Sequence, residues 1–191
     1  MYRLKSSYLW LIGAAVLLTL CASPAKAVLS QNIDIHVSIT ATKSLTVNTT
    51  FYDFGALNPS TGSVSASSIT VTNASSVLIE TYTIQGANAI SDSGSGNWTL
   101  ASSTGSDQYA LAAEFSNSAP ANTNAAFANS DTTTSALTCS ATAFGNGTVG
   151  ESGSSVDPVT TPNRGLWFRI RTPSSMTDKG PHTVTVTLAV L

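Results

Sequence analysis

Ionisable residues are scarce in this sequence. Asp, Glu, Lys and Arg together make up 9% of its 191 residues, and His36 and His182 are its only histidines. The few cations never gather into a stripe with interleaved aromatics, which excludes the usual nucleic-acid surface. No basic amphipathic segment is present, so a membrane-surface role is not expected. Catalytic signatures are missing as well. There is no Gly-x-Ser-x-Gly, no His-Glu-x-x-His and no paired-cysteine motif, so the chain is expected to be non-catalytic and to need no cofactor or metal. Cysteine is limited to Cys21 and Cys139. Lys and Glu, the ordinary residues of a helix surface, are few, and no segment reads as an amphipathic helix. No repeat of 20–50 residues is visible.

What is present first is an export signal. Arg3 and Lys5 precede an apolar stretch from Leu9 to Cys21, broken only by Gly13 and Thr19, and Ala25-Lys26-Ala27 supplies a small-x-small cleavage site. This pattern predicts a signal peptide over residues 1–27, cut after Ala27, and too short to span a bilayer. Lipid attachment at Cys21 is not expected, because Leu20 stands where that processing takes a small residue. The predicted product, Val28 to Leu191, is a single domain of 164 residues, long enough to bury roughly 70% of its unfolded surface. Losing Arg3, Lys5 and Lys26 leaves five basic residues against ten acidic ones, a net charge of −5. It also leaves Cys139 alone. No internal disulfide can form, and Cys139 is expected to be a small buried hydrophobe. The expected locations are secreted, cell surface or periplasm, without membrane insertion after cleavage.

Period-two alternation dominates the rest. Leu166, Phe168 and Ile170 share one face of a strand; Val184, Val186, Leu188 and Val190 share one face of another, with Thr183, Thr185 and Thr187 opposite. A β-strand turns successive side chains to opposite faces, so each is expected to be half-buried in an antiparallel sheet. Ile33, Ile35, Val37 and Ile39 alternate over Asn32 to Thr40. Leu45 and Val47 continue that phase, Val64 to Thr72 resumes it, and Tyr109, Leu111, Ala113 and Phe115 repeat it. Val77 to Gln85 reads as a strand covered on both sides. Trp98-Thr99-Leu100 and Leu137 to Phe144 complete about nine strands, separated by turn signals. Asn117 to Thr134 and Gly145 to Asn163 read as loops. The architecture expected is all-β: a single antiparallel β-sandwich over 28–191, immunoglobulin-like or jelly-roll.

Several local patterns have bland readings. Gly145-Asn146-Gly147-Thr148-Val149-Gly150 fits the dinucleotide glycine spacing, but no helix can readily open at Glu151-Ser152-Gly153, so a loop is expected. Asp92 to Asn97 has the oxygen-rich look of a calcium loop without its regular carboxylates. His36 and His182 meet only if the first and last strands are neighbours. Arg169 and Arg171 share a strand face with Trp167, which offers either internal cation–π stacking or an exposed strip for a partner. Asn48, Asn73, Asn97 and Asn146 each begin a glycosylation sequon.

Trp98-Thr99-Leu100, after a Ser/Gly loop, resembles one half of the paired Trp-x-Leu signature of bacterial cell-surface WxL domains. Leu166-Trp167-Phe168 does not supply the second half. The export signal, the short Ser/Thr-rich strands and Phe54-Gly55 after an early strand also resemble spore-coat-U and fimbrial-type secreted sandwiches. Those usually carry cysteines that the processed chain lacks. The resemblance implies a secreted or surface-displayed sandwich and assigns no residue a role.

Two functions follow as expectations. One is a structural or adhesive protein, with other surface proteins or itself as partner. In this reading the segment carrying Ile33, Ile35, Val37 and Ile39 is a candidate donor strand that completes a neighbour's sheet. The other is a carbohydrate-binding module that stacks glycans on Trp98, Tyr109 and Trp167, with Arg169 and Arg171 as further contacts.

Overall fold

The computed structural model describes residues 37, 41–127 and 135–191. Apart from Val37, all of these belong to the second of two units, Thr40–Leu191. The predicted signal peptide and nearly all of the candidate donor strand lie outside the described residues. Val37 itself is exposed.

The described chain is all-β, without a helix, and its eleven strands form three sheets. They are β1 (Leu45–Val47), β2 (Gly62–Val64), β3 (Ile69–Asn73), β4 (Tyr82–Gly86), β5 (Ile90–Ser91), β6 (Thr99–Leu100), β7 (Gln108–Phe115), β8 (Leu137–Thr138), β9 (Asn163–Arg171), β10 (His182–Thr183) and β11 (Val186–Val190). The main sheet runs β1-β3-β9-β7-β6, with β2 on the same edge of β9 as β3. A second sheet is β11-β4-β8, and β10 pairs with β5 alone. All pairings are antiparallel except β6 with β7.

β9 and β7 show how alternation becomes packing. Leu166, Phe168 and Ile170 of β9 lie opposite Phe115, Ala113 and Leu111 of β7. All six side chains are buried on one inner face, where each large one contributes about 1.5–3 kcal/mol. Tyr82 and Ile84 of β4, Val156 and Phe144 join the same core. On β11, Val186, Leu188 and Val190 are half-buried against it while Thr187 and Ala189 face out.

Between β2 and β3 the ladder is kept by a side chain. Ser65 donates its N–H to the Phe168 carbonyl at 2.8 Å and accepts the Phe168 N–H on its hydroxyl at 3.1 Å. The expected strand Val64 to Thr72 is therefore two strands joined by a bulge-like detour along one neighbour.

Other expectations are corrected. Val77 and Ile79 are 54% and 63% exposed, and the chain becomes a strand only at Tyr82. The side chain of Asn73 explains this. Its amide donates to the carbonyls of Leu78 and Val156, both at 2.8 Å, and its oxygen accepts from Ser75, which holds residues 74–80 as a loop. That burial also removes Asn73 as a glycosylation site in the folded chain. Leu137 to Phe144 shrinks to two strand residues, because Ser140 turns the chain by accepting the Ala143 N–H. Cys139 is buried, as expected of a small hydrophobe. The last two predicted strands fall in different sheets. β9 lies inside the main sheet, and the final segment breaks at Val184-Thr185 into β10 and β11, which belong to two other sheets.

Candidate functional site

The outer face of β9 holds Trp167, Arg169 and Arg171. It is not an open strip, because residues 116–127 strap it. The Trp167 indole N–H donates to the Ser116 carbonyl at 3.0 Å. Arg169 donates to the side-chain oxygens of Asn122 at 2.8 Å and Asn124 at 2.7 Å, and Asn122 donates to the Gly62 carbonyl. Burial and the nearby Arg171 lower the Arg169 pKa. Arg171 donates to the Ser102 carbonyl at 2.9 Å. Among the described residues no guanidinium stacks on Trp167; in place of the cation–π reading, Arg169 is tied to the strap and Arg171 to Ser102.

The three rings offered for sugar stacking are all inside the protein. Trp98 and Trp167 are 9% exposed and Tyr109 is 0% exposed. A stacking platform needs a ring face open to the ligand, and none of these has one. Tyr109 is fixed further by its hydroxyl, which donates to the Ala87 carbonyl, and burial raises its pKa. Beside the strap lies a cleft of about 330 Å³ lined by Glu114, Ser116, Ser118, Pro120 and Asn146 among others. Glu114 is the one ionisable side chain among its described lining residues.

A different feature lies at two sheet edges. β11 pairs with β4 on one side only, and β1 pairs with β3 on one side only; each is the edge of its sheet among the described residues. Lys43 donates to the Leu191 carbonyl, which sets the start of β1 beside the end of β11. Facing inward along these two edges are Leu45 and Val47 from one, and Val186, Leu188 and Val190 from the other, all only half-buried. Ser44, just before β1, is anchored by its N–H on the buried Glu80 carboxylate at 2.7 Å. The result is an apolar row along two sheet edges that have no second ladder partner among the described residues.

The second constellation lies around Trp98. His182 lies flat on its indole, with centroids 3.8 Å apart and planes 18° apart, and Tyr109 packs beyond at 6.4 Å. Asp178 accepts from Ser91, from Ser93 at 2.7 Å and from the Gly180 N–H at 2.8 Å. These bonds, with a smaller contribution from His182, hold its carboxyl down to about 2. Asp107 accepts both the hydroxyl and the N–H of Thr177 at 2.6 Å, which lowers its pKa. The loop Asp92 to Asn97 is a turn, as expected, and no cluster of described His, Cys, Asp or Glu could hold a metal ion.

The chain matches no protein-family model and no curated relative.

The sequence pairs His182 only with His36, which lies outside the described residues. Its partner ladder is β5, where it pairs with Ser91. Asp178, Asp107, Ser91 and Ser93 were not singled out from the sequence. The one local signal was Asp178-Lys179-Gly180 ahead of His182, the spacing of an Asx turn.

Proposed function

We propose that this chain is an exported, non-catalytic structural protein of the cell surface, a β-sandwich whose units join by strand addition. In this reading the main sheet and the β11-β4-β8 sheet are the two layers of the sandwich. The segment carrying Ile33, Ile35, Val37 and Ile39 enters the seam between β1 and β11 of a second copy. One observation carries the reading: the half-covered row Val186, Leu188 and Val190 lies on a strand whose outer edge has no described ladder partner. An extended segment with apolar residues at every second position satisfies both needs at once. Its main chain pairs with the open edge and its side chains cover the row. The thin charge and single leftover cysteine fit an exported protein held by apolar packing.

Sedimentation velocity over a range of concentrations tests the assembly. Growing species are expected for the intact chain. A Val37→Asp, Ile35→Asp variant is expected to remain a monomer, and a synthetic peptide of residues 32–40 is expected to cap assembly. An intact chain that stays monomeric at every concentration overturns the reading.

A further inference from the structure

Both ring nitrogens of His182 face carbonyl oxygens: Nδ1 lies 2.8 Å from the Gly180 oxygen and Nε2 lies 3.0 Å from the Gly96 oxygen. A carbonyl oxygen can only accept. A neutral imidazole has one N–H, so either tautomer satisfies one carbonyl and turns a bare nitrogen lone pair toward the other. The imidazolium donates to both. We propose that His182 is a proton-operated latch, whose doubly protonated ring ties the loop 91–97 to the segment 175–183 and whose neutral ring releases one of them.

An aromatic face and several charged side chains surround the ring. Beneath the ring is the face of Trp98 at stacking distance, where positive charge is attracted to the indole π-system. The segment before β10 brings the Asp178 carboxylate and Lys179. The turn before β7 brings Asp107, and the loop after β5 brings Asp92, which accepts the Thr183 hydroxyl at 3.4 Å. Tyr109, behind Trp98, donates its hydroxyl to Ala87 and carries no charge. Three carboxylates therefore stand against one lysine. Asp178 and Asp107 are held ionised well below neutrality, so they do not change charge while His182 titrates.

The sign of the response follows. Both bonds are present when the ring is doubly protonated. As pH rises and the second proton leaves, one bond is lost and the ladder Ser91–His182, Ile90–Thr183 loses its tie. The loops loosen toward alkaline pH, opposite to unfolding driven by carboxylate protonation. This latch is at the β5–β10 ladder and does not depend on strand addition elsewhere.

The test combines imidazole nitrogen NMR of histidine-labelled protein with amide hydrogen exchange from pH 5 to 9. At the acid end of this range the latch requires both His182 nitrogens to carry protons. Protection of the amides in residues 91–98 and 177–183, taken relative to the intrinsic exchange rate at each pH, is expected to fall at least about tenfold as the second proton leaves, the effect of losing one hydrogen bond to a charged group. His182→Gln is expected to abolish that pH response, and His36→Gln to keep it. A single neutral tautomer throughout the range, amide protection that stays flat while the ring titrates, or a His182→Gln variant with the same response overturns the proposal. If that variant does not fold, the exchange profile of the unaltered protein decides.

Discussion

Gly153 lies so close against the ring of Phe115 that a Cβ built on it would overlap the ring edge, 2.9 Å from Cδ2. Its carbonyl accepts the Tyr82 N–H at 2.8 Å, so the loop cannot back away without breaking a bond to β4. Gly153→Ala is therefore expected to cost about 1–3 kcal/mol through overpacking. Urea unfolding measures it. Phe115→Leu in the same chain is expected to relieve part of the strain, so the two changes are non-additive. A Gly153→Ala protein as stable as the parent contradicts the contact.

Ser65 stands in for a missing piece of ladder between β2 and β3. Ser65→Ala leaves the Phe168 N–H buried without its acceptor, expected to cost about 1–3 kcal/mol. The loss should appear as a lower urea midpoint with an unchanged slope.

The Cys139 thiol is pushed up to about 12 by burial. Only the thiolate attacks alkylating reagents, so at pH 8 the folded chain is expected to label slowly and the urea-unfolded chain at once. Rapid stoichiometric labelling of the native protein would show that this thiol is open.

Asp178, Asp107, Glu151 and Asp157 all have lowered pKa values. The largest causes are the Ser91 hydroxyl, the Thr177 hydroxyl, the Asn117 N–H and the Val159 N–H, respectively. A depressed carboxylate contributes stability above its unfolded pKa of about 4 and loses it as pH falls through the folded value. The melting temperature is expected to drop between about pH 4 and the folded value of about 2 at Asp178. Asp178→Asn should melt lower at pH 6 yet approach the parent at pH 2. Equal differences at both pH values would remove Asp178 from the acid response.

Alternation made some of this fold legible in advance. β7 buries Tyr109, Leu111, Ala113 and Phe115, as the pattern requires. Val186, Leu188 and Val190 likewise turn to the core. It misled at Val77 and Ile79, where an apolar run met a buried Asn73 side chain that claims the local carbonyls. It was silent on the strap over Trp167, since Asn122 and Asn124 act through amides that look like any loop residue. The Trp98–His182 stack was equally hidden, because the two residues lie 84 positions apart and meet only through the β5–β10 ladder.

The sequence by itself determined which face of each long strand turns inward, because a period of two offers only one apolar face to bury. Which strands meet was decided by tertiary structure alone: β9 between β7 and β2/β3, β11 against β4, and a two-residue β10 against β5. Main-chain hydrogen bonds are the same for every pair of extended segments. Alternation therefore carries no partner, and the choice falls to side chains such as Ser65, Asn73, Asp178 and His182, whose contacts exist only once the chain has folded.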